Sequence, residues 1–460
     1  MRRHIYRYRS VILLCIIAFA FFTRMFRLHE PPTYIFDEVY HASTAKLIAR
    51  NDPRAYEWWN PAPEPNTAVD WLHPPLAKYT QALSILAFGE NSFGWRFSSV
   101  VFGVLVILMV YHLAYKLFDN HIIALLSAAL ASFDGLLLVQ SRIAMNDIHV
   151  TFFILLTLYN YLRFRESQKL SHLFFTGLTA GLAMATKWSG LFVLATVLVF
   201  EGLQLIAHCF EQHKSKTARW LIVLQKFGTF LITRVPLLII LPLIVYVAGY
   251  SHMFLQGKGY AHFKELHKQI WWYQTHLDAH HPYESRPIDW FFNLRPVWVH
   301  VTYGPDGTTR SDIYAFGNPV LFWTGCVLFF FTLIFFVTQP KKYLLQSSKE
   351  KIRGKGFLPA YRAIINHPLI FLVASYCMVW MPWQLSPRIM FFYHYTPAVP
   401  LLSILIAYWM YFWADHAKPI IYAFFACILI AFFVWYPHWI GIEMPTSFVE
   451  NVYFALPQWK

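Results

Sequence analysis

Asp37 and Glu38 stand side by side in YIFDEVYHA (34–42), just after the first apolar run of the chain. An adjacent Asp-Glu pair on a soluble surface carries little information. Flanked by Phe36, Val39 and Tyr40 next to a membrane span, a carboxylate can take the proton from an attacking hydroxyl group. Basic residues recur at similar places. Arg24 closes the first apolar run and Arg96 opens the second. WLHPPLAK (71–78) supplies His73 and Lys78. FDGLLLVQSRIAMND (133–147) carries Asp134, Arg142 and Asp147, and ATKWSG (185–190) carries Lys187. MPWQLSPRIMFFYHY (381–395) carries Arg388, His394 and Tyr395. Guanidinium and ammonium groups bind phosphate and stabilise negative charge that develops on a leaving group.

These residues need elements to hold them. The chain has 460 residues, of which 57% are hydrophobic and 13% charged. Soluble domains usually carry about 25% charge. Several apolar runs approach or exceed the roughly 20 residues that cross a bilayer. The expectation is an all-α polytopic membrane protein, one membrane domain over 1–460, since interrupted runs of this length suit helices and not barrel strands. The expected spans are 10–28, 95–116, 121–140, 146–163, 170–186, 189–207, 234–250, 317–337, 367–383, 391–413 and 418–436. About eleven spans with a cytoplasmic N-terminus leave the C-terminus outside. The Lys/Arg-rich stretches 1–9, 163–169, 213–220 and 341–356 then all fall inside, as the positive-inside rule requires. That pattern accounts for much of the net charge of +14, so no nucleic-acid partner is expected.

Two long outer connectors, 29–94 and 251–316, are expected to be ordered loops with short helices, and long ordered loops are usually functional. PPLAKYTQALSILAFG (74–89) is short and amphipathic and is expected at the outer interface. The basic connector 338–366 is expected on the cytoplasmic side, within reach of anionic lipid heads. The five cysteines form no CxxC pair, so neither a disulfide nor a thiolate metal site is expected.

With this topology the acids and cations converge on one face, where ionisable groups are functional candidates by default. Any single Arg there could simply snorkel to the interface; several cations with a carboxylate pair are harder to explain that way. The set suits glycosyl transfer from a polyprenyl phosphate to a hydroxyl acceptor on the non-cytoplasmic side, with aromatic residues shaping the substrate pockets. His73, His276, His280, His281 and His394 invite a metal, yet no HExxH pair exists and the carboxylate–cation set works without one. No metal and no cofactor is expected; the lipid-linked sugar is a substrate. Trp271-Trp272-Tyr273 reads more readily as an interfacial aromatic belt than as a peptide groove.

The ordered motifs resemble those of the protein O-mannosyltransferases, membrane glycosyltransferases of the GT-C fold. FDEVYHA resembles the family's first-loop Asp-Glu motif, and HPPLAK its next signature. QSRIAMND resembles the Gln-Ser-Arg turn, and TKWSGLF the Lys-Trp-x-Gly-Leu-Phe segment. THLDAHHPYESRPIDWFF, DIYAFGNPVLFW and PRIMFFYHYTPAVP follow in family order. The resemblance implies an inverting transfer of mannose from a polyprenyl (dolichyl-type) phosphate to Ser or Thr of a secreted or membrane protein. It implies a bacterial plasma membrane location with the active site facing outward. Asp37 would be the general base, with Glu38 supporting substrate placement. Arg24, Arg96, Arg142, Lys187 and Arg388 would serve the donor phosphate. His73, Lys78, Asp147, His281, Tyr283, His394 and Tyr395 would contact substrate. Eukaryotic members carry a large MIR domain in the late outer loop; here only residues 251–316 stand there, which implies a compact bacterial-type member. The family's Pro-Trp-x-Trp reads Pro287-Ile-Asp-Trp290, one aromatic fewer.

Three other functions suit parts of this pattern. A GT-C enzyme moving another sugar, such as aminoarabinose, to a lipid or glycan would share the acids and cations. A secondary transporter would place its ionisable residues at the bilayer midplane and show inverted repeats; neither is apparent. A scaffold that binds a glycolipid without turnover would not need the acids.

Overall fold

The first apolar run is helical from Arg2 to Met25 (α1). In a computed structural model, residues 2–209, 216–339 and 357–460 are described. Most of the basic connector expected at 338–366, and part of the one at 213–220, lies outside them. After α1, the connector 29–94 holds α2 (Glu38–Ala49) and α3 (Leu76–Phe88). Helix α3 buries Lys78, Gln81 and Ser84 and exposes Leu83, Leu86 and Phe88. A helix with its apolar side outward and its polar side inward suits a lipid-facing position.

The bundle follows with α4 (Ser92–Phe118), α5 (His121–Ser132), α6 (Gly135–Gln140), α7 (Asp147–Ser167), α8 (Leu170–Thr186), α9 (Leu191–Cys209), α10 (Lys216–Val235) and α11 (Leu241–Ala248). The stretch expected as one span over 121–140 is broken. Asp134 Oδ1 accepts the Leu137 N–H at 2.8 Å and caps α6, which stops α5 and starts a new helix. Between α10 and α11 the backbone makes a π turn, Pro236–Ile240, where proline cannot supply an α-helical N–H. Short helices α12 (Ser251–Leu255), α13 (Tyr260–His276) and α14 (Pro287–Phe291) occupy the late connector.

That connector also contains an element not expected from the sequence. Strands β1 (Val297–Tyr303) and β2 (Thr309–Ala315) form an antiparallel hairpin, and β3 (Glu443–Pro445) adds to β2. Gly307 takes φ 71° in the connecting turn, a value open to glycine without strain. The β2–β3 pairing puts the C-terminal segment at the same end of the bundle as the late connector. The remaining helices are α15 (Pro319–Thr338), α16 (Phe357–Ile365), α17 (Pro368–Trp380), α18 (Val399–Trp413), α19 (Lys418–Ile440) and α20 (Thr446–Phe448).

Among the described residues, eight stretches are long and apolar enough to cross a bilayer, from Ile5–Met25 to Lys418–Ile440. Helices α5 and α8 are apolar but shorter, and α7 buries Asp147, His149, Thr151, Thr157 and Asn160 along its length. A continuous core of aliphatic and aromatic side chains, among them Val106, Leu130, Leu158, Leu372 and Ile404, joins these helices. The chain is a multi-span membrane protein whose polar side chains are gathered inward from α2, α3, α7 and α8.

Candidate active site

The two adjacent acids do different things. Glu38 is fully buried and accepts four hydrogen bonds: from Ile35 N (3.1 Å), Ala144 N (3.0 Å), and Arg96 Nε and Nη2 (2.8 Å each). Its carboxylate has no capacity left for a substrate. Asp37, the N-cap residue of α2, makes no hydrogen bond with its side chain among the described residues. The residue before it, Phe36, is held at φ 48°. A bulky residue in the left-handed region costs on the order of 1–3 kcal/mol and persists where the surroundings fix it. Here Glu38 fixes the turn, since Ile35 N donates to its carboxylate while Glu38 N donates to Ile35 O at 3.0 Å. The saturated acid thus holds the turn that presents the free one.

Helical spacing puts His41, four residues on, over the same face as Asp37. His41 Nδ1 lies 2.8 Å from Asp70 Oδ2. Asp70 also meets His73 Nδ1 at 3.0 Å and Lys78 Nζ at 2.8 Å. Lys78 donates further to His73 O at 3.0 Å, and Asp70 N donates to Thr44 Oγ1 at 2.7 Å. All four side chains of this cluster are buried or nearly so. The ring nitrogens of His41 and His73 and an oxygen of Asp70 lie within 4.8 Å of one another, close enough to bind a metal ion. Lys78 already puts an ammonium group against Asp70, so a metal would have to share that carboxylate with it.

Burial raises the Asp37 carboxyl above the usual aspartate range; His41 and Lys187 oppose this, and Asp70 and Asp147 add to it. Burial alone would raise Asp70 too, but Lys78, aided by the two histidines, holds it well below that range. Burial pushes His73 down to about 3, so at neutral pH its ring is uncharged and Lys78 is the cation that matters.

A second pair faces this cluster. Lys187 Nζ donates to Asp147 Oδ1 at 2.7 Å, both groups buried, and lies 5.2 Å from the centre of the Tyr393 ring. Asp147 Oδ2 and both polar side-chain atoms of Asn146 are buried without a hydrogen-bond partner. Arg388 Nη2 approaches His394 Nε2 at 3.4 Å, and Arg388 Nε is buried and unpartnered. The His394 ring stacks on Trp290 at 5.8 Å and meets Trp383 edge-on at 4.4 Å. The Phe36 ring reaches Tyr393 at 5.8 Å and Phe391 at 6.2 Å, joining this group to Asp37.

Three of the cations expected on the donor phosphate have other work. All five N–H donors of Arg96 are engaged: three by Glu38 and Thr33 O, two by Leu28 O and Pro31 O. Arg142 donates to Arg24 O (2.6 Å), Phe26 O (2.7 Å) and Arg27 O (3.2 Å), capping the C-terminal end of α1. Arg24 is fully buried, bonded to Ser141 Oγ (3.1 Å) and Ala20 O (3.1 Å). A Cβ on Gly103 would lie 2.1 Å from Ser141 Oγ and 3.2 Å from Arg24 Nε, so glycine there makes room for this pair. Tyr395, expected at a substrate, is fully buried and hydrogen-bonded to the Tyr376 hydroxyl. Arg96, Arg142 and Tyr395, with Glu38, hold the frame, while Arg24 Nη2 is buried without a hydrogen-bond partner. Lys187 acts on the Asp37 charge, and Arg388 stands against His394. His281 and Tyr283 lie to one side: His281 contacts Phe391 at 5.3 Å, and Tyr283 packs on Trp298.

His41, Asp70 and Asn146 were not singled out from the sequence. Each is within or one residue beside a stretch that was: YIFDEVYHA, WLHPPLAK and QSRIAMND. Asp70 precedes WLHPPLAK, and its importance is visible only once Lys78 and both histidines meet it.

The family model for dolichyl-phosphate-mannose–protein mannosyltransferase matches residues 14–256, and the model for the C-terminal four-span region of protein O-mannosyltransferase matches residues 260–459. A polyprenol-phosphate-mannose–protein mannosyltransferase of Corynebacterium glutamicum is 26% identical, covering 85% of this chain and 80% of its own. Its counterpart in Mycolicibacterium smegmatis is 24% identical, covering 97% and 92%. In fold, the chain superposes on the Saccharomyces cerevisiae Pmt1–Pmt2 complex bound to the sugar donor with a TM-score of 0.76, at 14% identity, covering 98% of this chain and 92% of that one. ArnT of Cupriavidus metallidurans bound to undecaprenyl phosphate gives 0.51 at 14% identity, over 90% of this chain and 61% of that one. The architecture is the GT-C fold expected from the sequence, and the chain belongs to the dolichyl-phosphate-mannose–protein mannosyltransferase family.

Proposed function

We propose that this protein transfers mannose from a polyprenyl-phosphate mannose to Ser or Thr hydroxyls of secreted or membrane proteins, at the outer face of a bacterial plasma membrane. The observation that carries this reading is the free Asp37 carboxylate, set between the Asp70 cluster and the Lys187–Asp147 pair. The acceptor oxygen attacks the anomeric carbon on the side opposite the phosphate. The new C–O bond forms as the C–O bond to phosphate breaks, and the configuration inverts. Asp37 receives the hydroxyl proton, and the polyprenyl phosphate leaves with the electron pair.

Each nearby group has a part. A carboxyl raised by burial is a better base than an ordinary aspartate. The negative charge of Asp37 also steadies a sugar with oxocarbenium character, as in glycoside hydrolysis. Arg388, with unsatisfied donors, and Lys187 are placed to meet phosphate charge. Asn146 and Asp147 Oδ2, buried and unpartnered, are placed to bond sugar hydroxyls. The reaction so written uses no cofactor. Purified protein in nanodiscs, given polyprenyl-phosphate mannose and a Thr-containing peptide, should add one hexose to the peptide. Transfer of a different sugar, or to a lipid only, would replace the substrates and keep the chemistry.

A further inference from the structure

Beyond Phe391, away from Asp37, lies a cavity of about 400 Å³ whose lining includes His281, Glu284, Arg286, Arg295 and Met390. It neighbours the candidate active site, since the Phe391 ring meets Phe36 at 6.2 Å and His281, in the cavity lining, at 5.3 Å. That separation matches about three residues of extended chain, at roughly 3.3–3.6 Å per residue. The late connector and the segment before α18 form its walls, joined by Ser285 N to Met390 O at 2.9 Å.

The carboxylates at this cavity are each tied to the backbone beside them. Glu284 accepts from His281 N at 3.3 Å and lies 3.5 Å from His280 Nδ1. Asp289 accepts the Arg286 N–H at 2.8 Å. The guanidinium groups form no ion pair with them among the described residues. Arg286 gives one bond, Nη1 to Ser386 O at 3.3 Å. Arg295 is exposed and makes no hydrogen bond or ion pair within the described residues. The cavity therefore presents two planar cations whose charge the nearby carboxylates do not take up in ion pairs.

Arg295 is also set deliberately. It takes φ 57°, two residues after Asn293 at φ 58°. Asn293 is tied on both sides: its Nδ2 donates to Gly317 O (3.1 Å), its Oδ1 accepts Gly317 N–H (3.0 Å), and its carbonyl accepts Trp459 Nε1–H (2.9 Å). A strained turn held this firmly, ending in an unpaired guanidinium at a cavity mouth, is the pattern seen at ligand clamps.

We infer that this cavity is a subsite for the acceptor, and that it takes a carboxylate: the side chain of an Asp or Glu about three residues from the hydroxyl that receives the sugar. Arg295 supplies the bidentate fork and Arg286 the second cation. The inference rests on the reading above that the acceptor is a protein.

The test uses the full-length protein in nanodiscs with polyprenyl-phosphate mannose and three Thr peptides differing at one position, with Asp, Ala or Lys three residues from the Thr. Wild type should favour Asp over Lys by about tenfold in kcat/KM, read from peptide KM more than from kcat. Arg295→Glu should reverse the order, and Arg295→Lys should keep it in weakened form. The Ala peptide is the reference in each variant. Transfer to all three peptides at equal efficiency, or an order unchanged in both Arg295→Glu and Arg286→Glu, would overturn the subsite and leave the transferase reading intact. A loss shared by all peptides, with a raised donor KM, would mean that the cavity serves the donor phosphate instead. Transfer to no peptide at all would remove the protein acceptor and this subsite with it.

Discussion

Arg96 grips Glu38 at two points, Nε to Oε1 and Nη2 to Oε2, both at 2.8 Å and both out of contact with solvent. The same guanidinium binds the carbonyls of Leu28, Pro31 and Thr33, so one side chain of α4 shapes the connector between α1 and α2. Breaking a buried ion pair from one side costs about 3–5 kcal/mol, because the remaining charge is left unpaired. Glu38→Gln and Arg96→Ala should both lower the melting temperature of the purified protein and cut activity in step with it. A variant of either kind with normal stability but no transfer would move these two residues back into the chemistry.

Asp37→Asn should behave in the opposite way. Its side chain has no hydrogen bond to lose, and the neutral amide relieves burial of a charge. Loss of a general base costs about two to four orders of magnitude in rate. Thermal stability and donor binding, measured on the same preparation, should be kept or improved. Transfer above one-tenth of the wild-type rate would show that another group takes the proton.

The division between these two neighbours was not legible in the sequence, where both are acids in one motif. Side-chain partners decide it, and those come from Arg96 and Ala144, far along the chain. The helical membrane fold was legible, because apolar runs and basic connectors are local signals. The motifs themselves were legible too, but not that Arg96, Arg142 and Tyr395 bind other parts of the chain. An arginine binding carbonyls and an arginine awaiting phosphate have the same letter. The β-hairpin at 297–315 did carry a signal, the alternation in VWVHVTY followed by GPDG, but a short strand pair in a long membrane connector is easily read as loop. Asp70 was missed because its partners lie on both sides of it, His41 in α2 and Lys78 in α3.

Lys78 and Asp70 give a prediction that separates charge from packing. Lys78→Met leaves Asp70 buried without its principal cation, and the expected cost is about 3–5 kcal/mol. Adding Asp70→Asn should recover part of that loss, since two neutral groups replace one stranded charge. The Asp70 carboxyl lies well below its usual range in the folded protein, so its stabilising effect is present above the unfolded value of about 3.9 and fades only as pH falls through the folded one. Melting curves at neutral pH therefore report the full pair. If the double variant is no more stable than Lys78→Met, the two groups are not coupled.

Arg388→Ala should act on the donor. Its Nε is buried and unpartnered, so the side chain has capacity for an incoming oxyanion. Removing it should lower kcat/KM for polyprenyl-phosphate mannose by about 10²–10³, the cost of one preorganised donor to developing charge. Arg388→Lys should restore only part, because an ammonium group cannot reproduce a bidentate contact. The measurement is donor-dependent transfer at saturating peptide. An unchanged donor dependence with a raised peptide KM would reassign Arg388 to the acceptor.

The pH dependence follows from Asp37 itself. Its carboxyl is raised by burial, with His41 and Lys187 opposing that rise. The base must be ionised to accept a proton, so activity is full above the raised value and falls as pH drops through it. The acid limb of kcat/KM should therefore lie above the ordinary aspartate range. His41→Gln removes a group that opposes the rise and should move the limb to higher pH, while Asp70→Asn removes a group that adds to it and should move the limb lower. Shifts in those opposite directions cannot come from a general loss of stability, which would lower the plateau without moving the limb. A limb that stays in place in both variants would mean that the titrating group is not Asp37.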